Sequence, residues 1–148
     1  MYINKMIAVG NDFIVCCLSD GMLRAWGGNN EHGQLNIPDS VENVKHLSAG
    51  NGFVIATKED GTVIGWGRND KGQITIPENL TNVSYTVCGD DFVYAVKSDG
   101  SLVCWGPSTY AQLIVPEDVQ QKGVKQISIQ NTTVAIETIQ GSLTTFIV

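Results

Sequence analysis

The sequence predicts an all-β fold, a β-propeller of four blades per chain at about 40 residues each, and three observations carry that prediction. Trp-Gly pairs begin at positions 26, 66 and 105, steps of 40 and 39. Prolines at 38, 77 and 116 stand 39 apart. Asp-Gly steps at Asp20-Gly21, Asp60-Gly61 and Asp99-Gly100, echoed by Gln140-Gly141, fall between apolar runs. A unit of this length cannot bury its apolar faces alone, so a fixed period implies units that stack on their neighbours.

Aligned on the Asp-Gly step, the units are approximately 1–40, 41–79, 80–120 and 121–148, together one propeller domain. Each begins with a short apolar strand: "KMIAVG", "VKHLSAG", "SYTVCG", "KQISIQ". A second strand follows: "DFIVCCLS", "FVIATKE", "FVYAVKS", "TTVAIETI". The Asp-Gly step then reads as a two-residue hairpin turn, and its failure to Gln-Gly marks the last unit as degenerate. The third strand is "MLRAWG", "TVIGWG", "SLVCWG", "SLTTFI". In the first three units a polar loop leads to "QLNIP", "QITIP" or "QLIVP", read as a short outer strand whose terminal proline suits an edge. Both faces of the third strand are largely apolar, as expected of sheets covered on both sides. The Trp residues therefore read as packing residues, with Ala25, Gly65 and Cys104 leaving room for a neighbour's indole.

The bulk composition excludes several classes. At 148 residues, with 43% hydrophobic and 16% charged residues, the chain is globular and long enough for a core. A net charge of −6 argues against nonspecific nucleic-acid binding, which needs a basic surface, and is compatible with a basic protein partner. No run approaches a membrane span, and the start "MYINKMIAVGNDF" shows no secretory signal, so a cytoplasmic protein with no membrane partner is expected. Cysteines 16, 17, 88 and 104 lie inside apolar runs without metal or redox spacing, and read as reduced core residues.

"TKEDGTVIGWGRNDKGQITIP" resembles the repeats of the regulator-of-chromosome-condensation family, whose pattern is LKxDGTVxGWGxNxxGQ followed by Val-Pro. The resemblance covers residues 3 to 120 well and 121 to 148 weakly. The short period looks most like the compact bacterial repeats, including those of the propeller-type β-lactamase inhibitory proteins. The resemblance implies a ring, usually of seven blades, and this chain supplies four. A half ring is expected to expose an apolar blade face at each end. Two copies joined head to tail as a 4+4 ring would cover both, the reading preferred here. Closure of four blades alone, or membership of a longer propeller, are the alternatives; the start at Met1 and the degenerate last unit argue for a whole chain.

Chemistry is sparse. His32 and His46 have no second His or Cys at ligand spacing, and no nucleophile elbow, phosphate loop or zincin motif occurs, so neither metal, cofactor nor enzymatic activity is expected. Asp90-Asp91 occupies the turn position of Asn11-Asp12 and Asn51-Gly52, which is turn chemistry. The repeats diverge most at the turns and loops of one propeller face, as a binding surface on a fixed frame would. The candidate partner-binding residues there are Asn30, Glu31, His32, Arg68, Asn69, Asp70, Lys71, Asp90, Asp91, Thr109 and Tyr110. Tyr110, Arg68 and His32 are the expected anchors, with the carboxylates forming a rim for a basic partner.

The leading expectation is a non-catalytic protein-binding module, in one version an inhibitor covering another protein's site. A small molecule or anion in the central channel is the alternative, with Lys5, Lys45 and Lys125 at equivalent positions of the first strands. Guanine-nucleotide exchange on a small GTPase is implied only by the wider family. The acidic charge and the lack of an inserted wedge between repeats speak against it.

Overall fold

The computed structural model describes residues 6–107 and 115–148. Four three-stranded antiparallel sheets follow one another, each a meander in sequence order. Blade 1 holds β1 (Met6–Val9), β2 (Phe13–Cys17) and β3 (Leu23–Gly27). Blade 2 holds β4 (Val44–Ala49), β5 (Phe53–Lys58) and β6 (Val63–Gly67). Blade 3 holds β7 (Val83–Cys88), β8 (Val93–Lys97) and β9 (Leu102–Trp105). A helix, α1 (Glu117–Lys122), precedes blade 4, made of β10 (Val124–Gln130), β11 (Thr133–Thr138) and β12 (Leu143–Ile147). The fold is the expected all-β propeller architecture, and the blades are three-stranded among the described residues.

The expected outer strand does not form in units 1 and 2. Residues 34–38 and 73–77 run as turns and coil. The cause is local: the Asn30 side-chain oxygen accepts the Leu35 N–H at 2.8 Å, and Asn69 accepts the Ile74 N–H at 3.0 Å. Backbone donors that an edge strand would offer to a ladder are thus taken by a side chain. The segment instead coils into the gap between blades, where Leu35, Ile37 and Val41 join the core between blades 1 and 2. Ile74, Ile76 and Leu80 do the same between blades 2 and 3. The third such segment lies mostly outside the described residues. After Pro116 the connection to β10 is two residues longer than its counterparts after Pro38 and Pro77. Those extra residues wind into α1, which buries Val119.

The Asp-Gly turns differ from the sequence reading by one residue. Gly21 N donates to Leu18 O at 2.9 Å and Leu18 N to Met22 O at 3.0 Å, with Gly21 at φ 79° and Asp20 outside the left-handed region. This is a three-residue loop, a turn over Ser19-Asp20 with the glycine as its bulge. Asp20 caps it by accepting the Met22 N–H, and Asp60 and Asp99 do so for Thr62 and Ser101.

β1 stacks beside β4, β4 beside β7 and β7 beside β10; β1 and β10 form no such pair among the described residues. The blades therefore make an open arc, not a closed ring. Blade interiors are closed to solvent, with Phe53, Val54, Ile55, Val93, Tyr94, Val134 and Ile136 all fully buried. Among the described residues, the large apolar side chains left exposed are Ile7, Val9, Leu18, Met22 and Trp26 in blade 1, and Ile139, Leu143 and Ile147 in blade 4. Blades 2 and 3, covered on both sides, contribute none. The expectation of an apolar face at each end holds fully only at blade 1. The outward face of blade 4 replaces Phe13, Phe53 and Phe92 by Thr133, and Cys17, Thr57 and Val96 by Glu137. No helix is long and apolar enough to cross a membrane among the described residues.

Candidate protein-interaction face

The turn between the first two strands of blades 1, 2 and 3 is shaped by a glycine under an aromatic ring. A Cβ on Gly50 would lie 2.3 Å from the Phe53 ring and 2.4 Å from the Gly89 carbonyl oxygen. Gly10 and Gly89 carry Phe13 and Phe92 in the same way. Blade 4 has Gln130 for the glycine and Thr133 for the phenylalanine, a coordinated exchange, because the ring fits only over a residue without a side chain. These turns place Asn11, Asn51, Asp90 and Asn131 on one face of the arc. The inner strands end there around a recess of about 160 Å³, lined by residues of all four blades, Asp90 among them.

The loops after the first two Trp-Gly pairs lean on the first turn of the next blade. His32 reaches the Gly52 turn, where a Cβ on Gly52 would lie 2.8 Å from the imidazole. Arg68 and Lys71 reach Asp91 in blade 3. Arg68 Nη1 contacts Asp91 Oδ1 at 2.8 Å, and Lys71 Nζ contacts Asp91 Oδ2 at 2.7 Å. Arg68 Nε also holds Asp70 Oδ1 at 2.7 Å. The Arg68 and Asp91 side chains are only 14% and 12% exposed. Hydrogen bonds to Arg68 and then Gln73 hold the Asp70 carboxyl below its ordinary range, and the Asp70 contact raises Arg68 in turn. The structure thus joins Arg68, Asp70, Lys71 and Asp91 into one network fixing blade 2 to blade 3. Arg68, read as an anchor for a partner, is engaged within the molecule. Asn30 and Asn69 hold the loop backbone, whereas Glu31, His32, Asp70, Lys71 and Asp90 are exposed. Thr109 and Tyr110 lie outside the described residues.

The lysine series takes a different place from the recess. Lys45 and Lys125 sit at β-bulges at the far ends of β4 and β10. Lys125 pairs with Glu137 at 2.7 Å. Lys5 lies outside the described residues. Around the recess the charged group is a carboxylate, a poor match for an anion. Among the described residues no three His, Cys, Asp or Glu side chains gather where a metal ion could be held. Two of the thiols are far from nucleophilic: burial pushes Cys88 up to about 12 and Cys104 up to about 11.

The indoles divide by blade. Trp66 Nε1 donates to the Gln34 carbonyl at 3.0 Å, and Trp105 Nε1 to that of Gln73 at 2.8 Å, each across a blade boundary. Trp26, in the same position of blade 1, is covered by no blade among the described residues and is 52% exposed. The sequence reading of all three as packing residues holds for Trp66 and Trp105.

A profile for the regulator of chromosome condensation (RCC1) repeat matches residues 6–34 and 44–73, the cores of blades 1 and 2. Blades 1 and 2 are thus built of RCC1-type repeats. Among solved structures, the chain is similar to Prp20p of Saccharomyces cerevisiae, with a TM-score of 0.76 at 18% identity over 98% of this chain and 45% of that one. That protein is described with its binding to Gsp1p and histones, and also with Kap60 bound. The ectodomain of the receptor kinase CR4 from Physcomitrella patens gives a TM-score of 0.74 at 18% identity, over 94% of this chain and 37% of that one. The computationally designed Ika4 protein gives 0.61 at 21% identity, over 97% of this chain and 89% of that one. The chain thus spans under half the length of the two natural proteins and most of the designed one. No curated protein sequence matches it.

Proposed function

We propose that the chain is a non-catalytic protein-binding module that docks a partner through its loop face, and that a second copy completes the ring. The observation that carries the docking reading is the inter-blade network of Arg68, Lys71 and Asp91, which fixes the loops against one another and leaves Glu31, Asp70 and Asp90 exposed on the same face. A surface held this way loses little conformational entropy on binding. Its carboxylates, on a chain of net charge −6, favour a basic partner. The binding of Gsp1p and histones described for Prp20p supports a propeller of this repeat type acting through protein contacts. Inhibition of another protein's site is one way such a face would work, and it rests on the resemblance to inhibitory propellers.

The test is affinity capture with the wild type beside a Glu31→Lys, Asp70→Lys, Asp90→Lys variant. A specific partner should be recovered by the wild type, weakened by salt, and lost by the variant. Equal recovery by both would remove the loop face from the proposal.

A further inference from the structure

Blade 1 presents an uncovered apolar face whose normal covering the molecule shows twice. Ile7, Val9, Ile14, Arg24 and Trp26 occupy the positions that in blade 2 are Leu47, Ala49, Val54, Ile64 and Trp66. In blade 2 that face is buried against blade 1, with Trp66 in one core with Leu23 and Ala25 of β3. In blade 3 it is buried against blade 2, with Trp105 beside Val63 of β6. The covering surface is thus the outer strand of a preceding blade, a larger apolar residue followed two positions later by a small one.

The strand β12 keeps that pattern without using it. Leu143 stands where Leu23, Val63 and Leu102 stand, and Thr145 where Ala25, Gly65 and Cys104 do. Leu143 is 73% exposed and Ile147, on the same face, 74%. The two end faces also differ from the internal ones in complementary ways. Arg24 replaces Ile64 and Val103 on the blade 1 face, while Glu137, paired with Lys125, replaces Val96 on the blade 4 face, so a guanidinium at one end answers a carboxylate at the other. Ile14 is larger than Val54 and Val93, its counterparts, whereas Ala135 is smaller than Ile55 and Tyr94, its own. Ser128, Thr133 and Ala135 line a hollow of about 450 Å³ on the blade 4 face.

We infer that the partner covering blade 1 is a second copy of this chain, docked head to tail. Trp26 of each copy lies on β12 of the other, Ile14 enters the hollow at Ala135, and Arg24 faces Glu137. The inference rests on the ring reading above and names its seam. Two identical seams close about a two-fold axis, leaving neither end bare. Joining blade 1 to blade 1 would set Arg24 near Arg24 and leave Leu143 and Ile147 in water. Glu137 already holds Lys125, but both side chains are well exposed, at 37% and 61%, and such a bridge yields readily to a guanidinium that binds a carboxylate through two N–H groups.

The experiment is light scattering on a sizing column, with circular dichroism confirming that each variant is folded. The wild type should run at twice 16.0 kDa. Trp26→Asp and Ala135→Arg should each halve the mass. Arg24→Glu and Glu137→Arg should each weaken the dimer at least tenfold, and the double exchange should restore it. A dimer lost in Trp26→Asp but kept in Ala135→Arg would overturn the head-to-tail seam while leaving dimerisation in place. A wild type that stays at 16.0 kDa at every concentration would overturn the ring reading itself. Partner capture by the monomeric variants reports on the loop face separately.

Discussion

Trp66 donates its indole N–H to the main-chain oxygen of Gln34, 32 residues earlier, and the bond crosses from blade 2 to the connector behind blade 1. Trp105 and Gln73 repeat it one blade later. The repeated Trp-Gly is therefore the clasp between successive blades, and the buried Gln34 and Gln73 are its other half.

The clasp sets a contrast between chemically identical substitutions. Trp66→Ala removes a buried indole and strands the Gln34 carbonyl, and should cost about 3–5 kcal/mol. Trp26→Ala removes a half-exposed indole and should cost under about 1 kcal/mol in the monomer. Urea unfolding of both variants, under conditions where neither dimerises, measures the difference. Equal costs would mean that the blade boundary is not where the indole acts.

Glycines should divide by surroundings as much as by backbone angle. Gly50→Ala drives a methyl into the Phe53 ring and the Gly89 carbonyl, backbone that cannot yield, and should cost more than about 3 kcal/mol. Gly21→Ala meets nothing within 4 Å and carries only the strain of φ +79°, about 1 kcal/mol. Thermal melts of the two variants side by side give the ordering.

Arg68→Ala leaves the Asp91 carboxylate, 12% exposed, with Lys71 as its remaining cation. The expected cost is about 2–3 kcal/mol, below the full value for a deeply buried pair because both ends touch solvent. Asp70→Ala, which removes an exposed and solvent-screened partner, should cost clearly less than Arg68→Ala. Chemical denaturation of the two variants tests whether Arg68 serves as a blade staple.

His46 gives the fold a pH dependence of definite sign. Burial holds its imidazole below the ordinary value of 6.5, its ring lies tilted against that of Tyr85 with centroids 5.7 Å apart, and its Nδ1 is buried without a hydrogen-bond partner. The unfolded chain takes up the proton more readily, so stability is full above about 6.5 and falls as pH drops below it. His46→Phe should flatten the profile between pH 5 and 7, measured as melting temperature against pH.

The parts of the fold visible in the sequence are those set by local chemistry. Asp60-Gly61 specifies its loop, and alternation in "TVIGWG" specifies a strand covered on both faces. The parts that were not visible depend on distant partners. "QLNIP" reads as a strand until Asn30 is seen to take its backbone donor. Arg68 reads as a free anchor until Asp91, 23 residues on, is found beside it. The polar outward face of blade 4 was present in the sequence as Thr133 and Glu137. It becomes legible only once the register assigns those residues to the side where Phe92 and Val96 stand in blade 3.

Native mass spectrometry of the wild type across a dilution series tests the central claim, that the four blades form an open arc completed by a second copy. A species at twice 16.0 kDa, giving way to the monomer only on dilution, is the result predicted. A 16.0 kDa species alone at all concentrations would contradict it, and would leave Trp26 and its neighbours exposed in the isolated chain.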